Sequence, residues 1–394
     1  MQIVSFGAQD MYLTGKPQIT FFKLTYRRHT NFAIESISNV FNGSTTFGGK
    51  ANCTIQRSGD LLWRTYLQFD LPALSQSSGT VAWTRNVGHA ILKSVELEIG
   101  SQRIDKQYGD FMTIWNELTM PEEKRDGYSV MIGNTTALTT QAASISSQTL
   151  YVPLQFWFCM NPGLALPLIA LQYHDVRMAF EFRAASECYI TDDGAAPSSG
   201  TPALTNMALW CDYIFLDTFE RESFTKTTHE YLITQLQYTG EESVTSSSTN
   251  VRLSFNHPTK FLAWVVQPDA NVASNVNEWS NFTLSTGYNG ADTVSTAKLL
   301  LNSHERFYVR EGRYFNLVQP WQHFPRVPAT GIYVYSFCLN PVEYQPSGSV
   351  NMSRIDNATL QLTTATSAAK LRIYALSYNV LRIMSGMAGV AYAN

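Results

Sequence analysis

The chain has 394 residues, 44% hydrophobic and 13% aromatic, with 15% charged and a formal net charge of −3. That length accommodates two domains of ordinary size, and the near-neutral balance excludes general nucleic-acid binding, which needs a basic footprint. Charge falls well below the roughly 25% usual in soluble proteins, so either Ser, Thr, Asn and Gln wet the surface or partners cover much of it.

In chain order, the opening MQIVSFGAQD lacks the basic and apolar regions of a signal peptide. Four cations follow, Lys16, Lys23, Arg27 and Arg28. They read as a solvated or salt-bridged face, with contact to anionic material as the sharper alternative. GSTTFGGK over 43–50 imitates a phosphate loop, but the spacing from Gly43 to Gly49 is one residue too long and Ala51 stands where a hydroxyl should hold magnesium. It is a glycine-rich turn between strands. KSVELEI over 93–99 places Val95, Leu97 and Ile99 on one face, which predicts a half-buried strand. Phe111, Ile114, Trp115 and Leu118 then recur at helical spacing, and Pro121 is expected to close that helix. Residues 121–150 read as a long loop, with the paired acids Glu122 and Glu123 solvated. Its Ser/Thr-rich part carries Asn134, the most plausible glycan acceptor among six sequons.

FCMNP follows at 158–162, and nearly the same five residues, FCLNP, return at 337–341. The surroundings repeat as well. RMAFEF (177–182) answers to NATLQL (357–362), and the stretch 100–111 answers to 303–314. In that alignment Gly109 meets Gly312, Phe111 meets Tyr314, and Ile114, Trp115 and Leu118 meet Leu317, Val318 and Trp321. Pro320 interrupts the second copy. This is an internal duplication with a longer loop in the first copy. Between the copies, the amphipathic stretch 217–230 is the expected seam. VRLSF (251–255) predicts another half-buried strand, and GIYVYSFCL (331–339), apolar on both faces, a strand between packed layers. Short alternating strands, polar turns and few helices indicate two antiparallel β-sandwiches in tandem, with the jelly roll favoured.

Chemistry is sparse. No two of the seven histidines lie within four residues of one another, and the five cysteines form neither a disulfide framework nor a zinc spacing. Cys159 and Cys338 occupy the same place in the two repeats and read as small buried hydrophobes inside apolar strands, in a protein that matures in a reducing compartment. The paired acids Asp192 and Asp193 are solvated turn residues. No catalytic constellation, metal site or cofactor site emerges. Trp279 and Tyr288 in the 268–297 loop either anchor that loop or bind sugar, which keeps a carbohydrate-binding β-sandwich protein as an alternative. A metal-dependent cupin-like enzyme would need clustered ligands that are missing.

GAQDMYLTGKPQITFFKLTYRRHTNFA over 7–33 resembles the N-terminal signature of the major capsid proteins of nucleocytoplasmic large DNA viruses. Further matching blocks include ELEIGSQRIDKQYG (96–109), FWFCMNPGLALPLIAL (156–171), HEYLI (229–233), YFNLVQP (314–320) and YNVLRIMSGMAGVAY (378–392). The resemblance implies an all-β tandem double jelly roll of two eight-stranded sandwiches, 1–218 and 219–394. It also implies a homotrimeric, pseudo-hexagonal capsomer that tiles an icosahedral shell, with no enzymatic activity. Neighbouring capsomers, minor capsid proteins and penton proteins would be the partners, with no direct nucleic acid. Residues 1–25 would form an inward-facing N-terminal segment, and residues 1–33, with Lys16, Lys23, Arg27 and Arg28, would face minor capsid proteins or the internal viral membrane. Such a protein belongs to the virion and is made and assembled in the host cytoplasm. The modest loops 121–150, 184–206 and 268–297 leave open a paralogue used at restricted shell positions.

Overall fold

The computed structural model describes residues 4–192 and 194–393; Asp193 therefore lies outside the described residues. Eight main strands make up the first half: β1 (Phe32–Asn39), β2 (Lys50–Thr54), β3 (Leu61–Leu71), β4 (Leu92–Ile99), β5 (Gln102–Gln107), β6 (Gln148–Pro153), β7 (Val176–Phe182) and β8 (Thr205–Leu216). The second half repeats the set with β9 (His229–Val244), β10 (Ser248–Leu253), β11 (Pro258–Pro268), β12 (Val294–Leu301), β13 (His304–Glu305), β14 (Ile332–Ser336), β15 (Ala358–Thr364) and β16 (Ala369–Met384). Hydrogen bonding orders the first sheets β1-β8-β3-β6 and β2-β7-β4-β5, and the second sheets β9-β16-β11-β14 and β10-β15-β12-β13. All these pairings are antiparallel. Adding eight to each number of the first half reproduces the second, so the topology is a jelly roll written twice. The two FC-x-NP copies follow β6 and β14, matching points of the two sandwiches.

Alternation explains the layers. Val95, Leu97 and Ile99 of β4 are fully buried in the first core, and Glu96 on the opposite face pairs with Lys106 of β5. Each such side chain taken out of water contributes about 1.5–3 kcal/mol. β11 is buried along nearly its whole length because both of its faces meet protein. Leu262, Trp264 and Val266 enter the second sandwich. Phe261, Ala263 and Val265 instead face a third core between the halves.

That junction is built by α1 (Gly109–Thr119), which lays Phe111, Ile114, Trp115 and Leu118 on the outer face of the β9-β16-β11-β14 sheet. Trp115 stacks on Phe261 at 6.1 Å between ring centroids, and Phe111 meets Tyr374 at 5.3 Å. Beside the apolar contacts, the Asp110 carboxylate lies 3.5 Å from Arg183 and 3.4 Å from Arg372, and Arg372 also pairs with Glu241 at 2.6 Å.

Several local expectations change. Pro121 does not lead into a loop. It caps a second helix, α2 (Glu122–Met131), in which Glu122 pairs with Arg125 at 2.8 Å, so these acids are helical and not turn-like. The stretch 217–230 holds α3 (Thr218–Lys226), capped by the Asp217 carboxylate accepting from the Glu220 N–H, and β9 already begins at His229. Pro320 does not break the second helix. A π-helix (Tyr314–Val318) runs directly into α4 (Gln319–His323), with Pro320 just past the join, so the change of helix type falls beside the missing N–H. Cys159 sits in a short helix (Trp157–Met160) and Cys338 just past β14, so neither lies inside a strand. The strands predicted over 251–255 and 331–339 end at Leu253 and Ser336.

Candidate assembly surfaces

The N-terminal segment has almost nothing to pack on. Gly7, with its N–H bonded to the Asp10 carboxylate at 2.7 Å, opens a single turn that continues into the short helix Met11–Thr14. From residue 4 to residue 36 only Asp10 is not exposed. Tyr12 is 92% exposed and Phe22 98%, and Phe6, Met11, Leu13, Ile19, Phe21, Leu24 and Tyr26 stand open as well. Lys16, Lys23, Arg27 and Arg28 all lie on this segment and make no ion pair among the described residues. A run this apolar is not a solvated tail, because contiguous exposed apolar surface marks a contact site. The segment leads into β1, an edge strand paired on one side only, where Phe32 and Ile34 remain exposed.

A second surface follows from the duplication. In the first half, Ile114, Trp115 and Leu118 of α1 are buried at the junction. Their counterparts are open: Leu317 and Val318 are 44% and 39% exposed, and Trp321 is 75% exposed. The local structure holds this face rigidly. The Asn316 amide donates to the carbonyls of Ala329 and Ile332, both at 2.9 Å, and Gln319 donates to the Tyr314 hydroxyl at 2.8 Å. Gly312 packs so closely that a Cβ would collide with the Val294 carbonyl at the start of β12. Gly109 packs in the same way on the carbonyls of His89, ahead of β4, and of Leu92 at its start.

The outer face of the β1-β8-β3-β6 sheet is the third surface. It corresponds to the sheet face that α1 covers in the second half. Here Tyr66 stacks on Trp210 at 6.4 Å and lies 6.3 Å from Tyr151; Tyr66 and Trp210 are only part-buried and Tyr151 is exposed. Arg64 lies over the Trp63 ring at 4.2 Å.

Asn134 lies in the turn between α2 and the short helix Thr136–Thr139, half-buried, away from the N-terminal segment in the chain. Asn281 of another sequon is fully buried, with its side chain bonded to Thr283 and Glu278. Trp279 donates to the Glu187 carbonyl at 2.7 Å beneath the Arg183 guanidinium, and Tyr288 bonds Ser280 beside Arg85. Both rings anchor their loop, which removes the feature that carried the sugar-binding alternative. All five cysteines carry free thiols. Burial pushes the Cys53 and Cys188 thiols up to about 12, so both are inert. Among the described residues no cluster of His, Cys, Asp or Glu could hold a metal ion, and no helix is long and apolar enough to cross a membrane. The open helix face and the exposed N-terminal aromatics were not singled out from the sequence. The signal for the first was present in the alignment of the repeats, since only one of two equivalent faces can be covered within one chain.

Two matched eight-stranded sandwiches with large faces left open define a double jelly-roll capsid protein, a structural protein of the virion and not an enzyme. Residues 20–217 match the family described as the major capsid protein N-terminus, and residues 220–389 match the large eukaryotic DNA virus major capsid protein. The chain belongs to the major capsid proteins of large eukaryotic DNA viruses. It is 49% identical to the major capsid protein of Pyramimonas orientalis virus and 45% identical to that of Phaeocystis pouchetii virus, covering 100% of this chain and 99% of each relative. The solved structure of PBCV-1 VP54 is 40% identical and superposes with a TM-score of 0.84 over 95% of this chain and 100% of that one. The Faustovirus major capsid protein, at 16% identity, shares the fold with a TM-score of 0.81.

Proposed function

We propose that the chain is the principal shell subunit and acts as a homotrimeric capsomer of pseudo-hexagonal outline, each chain contributing two jelly-roll units, 1–218 and 219–394. The observation that carries this is the unequal fate of two equivalent helix faces. Within one chain, α1 of the first unit docks on the outer sheet face of the second. The second unit's own helix face, Leu317, Val318 and Trp321, is left uncovered, and so is the aromatic outer sheet face of the first unit. Each chain therefore has a plug without a socket and a socket without a plug. If the contact between chains repeats the contact within a chain, the arrangement is head-to-tail and closes into a ring. Three chains supply six similar units to that ring. An obligate interface of this kind buries upward of about 2,000 Å². The names of the relatives, all but one of those above being viral major capsid proteins, support the role of principal shell subunit over that of a restricted paralogue. The exposed N-terminal segment, with Lys16, Lys23, Arg27 and Arg28, is the inward-facing contact to minor capsid proteins or to the internal membrane. Free thiols throughout suit assembly in the host cytoplasm.

The test is Trp321→Glu. A carboxylate in the centre of the plug must either lose water or keep the faces apart, so the variant is expected to fold normally and to run as a monomer in sedimentation. A trimeric Trp321→Glu protein of unchanged stability would move the interface elsewhere.

A further inference from the structure

We propose that the cleft where the two FC-x-NP copies meet is a binding site for a small carboxylic acid carried on a compact apolar group. Asn161 of the first copy and Pro341 of the second both line this cavity of about 160 Å³. Its size is telling, since a dry cavity of about 150 Å³ lined by aliphatic and aromatic side chains holds benzene. The walls suit such a guest: Trp115, Trp157, Leu232 and Leu376 come from both halves.

The lining also carries Asn161, Thr234, Glu343 and Tyr344, the last two exposed, while two polar groups stand deeply buried among these walls. Lys260 of β11 is 3% exposed, yet among the described residues its ammonium donates only to the Glu343 backbone carbonyl, at a long 3.4 Å, and otherwise lies 5.1 Å from the Tyr378 ring. It makes no ion pair among the described residues. The other deeply buried charges are better provided for. Asp60 pairs with Arg221, Arg183 with Asp110, and Arg372 with Glu241, while Asp105 accepts three N–H bonds. Tyr378 of β16 is 7% exposed, and its buried hydroxyl finds no hydrogen-bond partner among the described residues. A buried ammonium has three donors to satisfy, and a buried hydroxyl left unpaired costs about 1–3 kcal/mol. Burial also pushes the Lys260 pKa down, the mark of a cation without a counter-charge. A carboxylate answers both groups at once, accepting a charge-assisted bond from the Lys260 ammonium and a hydrogen bond from the Tyr378 hydroxyl. An apolar body of about ring size then fills the space between the indoles. Because the walls come from both halves, the guest would also tie them together, independently of how the chain assembles.

Benzoate is the probe, titrated into the full-length protein by calorimetry, with benzamide as its uncharged counterpart. Saturable binding of one benzoate per chain is expected, together with a raised Tm and benzamide weaker by about tenfold or more. Lys260→Met keeps the length of the side chain and removes the charge, so it should weaken benzoate by a similar factor, and Tyr378→Phe by less. The proposal is overturned if benzoate does not saturate, if benzamide binds equally well, or if Lys260→Met binds benzoate as tightly as the parent. Should Lys260→Met fail to fold, the ratio of benzoate to benzamide on the parent protein decides alone.

Discussion

Asp105 lies at the seam between the sandwiches, where its carboxylate accepts the N–H groups of Lys106 and of Leu236 from β9. Loss of solvation pushes its pKa up from 3.8 to about 6, with those N–H bonds opposing the shift. His89, enclosed by Thr113 and Tyr128, is pushed the other way by burial, from 6.5 down to about 4. Between pH 6 and pH 4 the folded chain keeps a proton on Asp105 that the unfolded chain has released, so acidification through that window stabilises the fold. Over nearly the same window the unfolded chain protonates His89 while the folded chain refuses, so acidification destabilises it. In the wild type the two responses largely cancel. Asp105→Asn keeps an oxygen for Leu236 and Lys106, and Gln107, whose Oε1 lacks a partner among the described residues, can turn to accept from the new amide. With only His89 left, this variant should lose up to about 1.4 kcal/mol of stability per pH unit on going from pH 6 to pH 5. A Tm as flat with pH as that of the wild type would contradict this pairing. At the glycines, Gly312→Ala must displace the backbone at Val294 and is expected to cost about 1–3 kcal/mol in thermal or chemical denaturation. An unchanged Tm would show that the close approach is dispensable. The sequence alignment singles out both glycines because they repeat. Nothing local marks Asp105 as buried, since its partner Leu236 is 131 residues away.

At the scale of elements, strands with one wet face were legible because a period of two survives wherever water meets one side, as along β4. Strands wet on neither side gave a run and not a pattern, so the ends of β14 were overdrawn. The helices were harder. α2 carries only one buried residue, Tyr128, and has no apolar stripe to reveal it. The continuation of the second-copy helix through Pro320 depends on a π-turn that spacing does not encode. The N-terminal segment was legible as basic and as family signature, but its apolar exposure required the fold, in which none of the described residues covers it. Deleting residues 1–20 is therefore expected to leave Tm unchanged while impairing particle assembly. Particles that form as well without these residues would remove the segment from any contact.

At the scale of the whole molecule, the duplication read from two short motifs became a topology repeated strand for strand. What the sequence could not supply is which copies of an equivalent face are covered, because that is a property of packing and not of the chain order. The junction answers it. One helix face is buried under the second unit, its twin is exposed, and the sheet face that would receive the twin is only part-buried. The most direct measurement is the native mass of the purified full-length protein by light scattering over a range of concentrations. The account predicts a mass of three chains that persists on dilution. A stable monomer over the same range would contradict it, because it would mean that the open faces are not partners for each other.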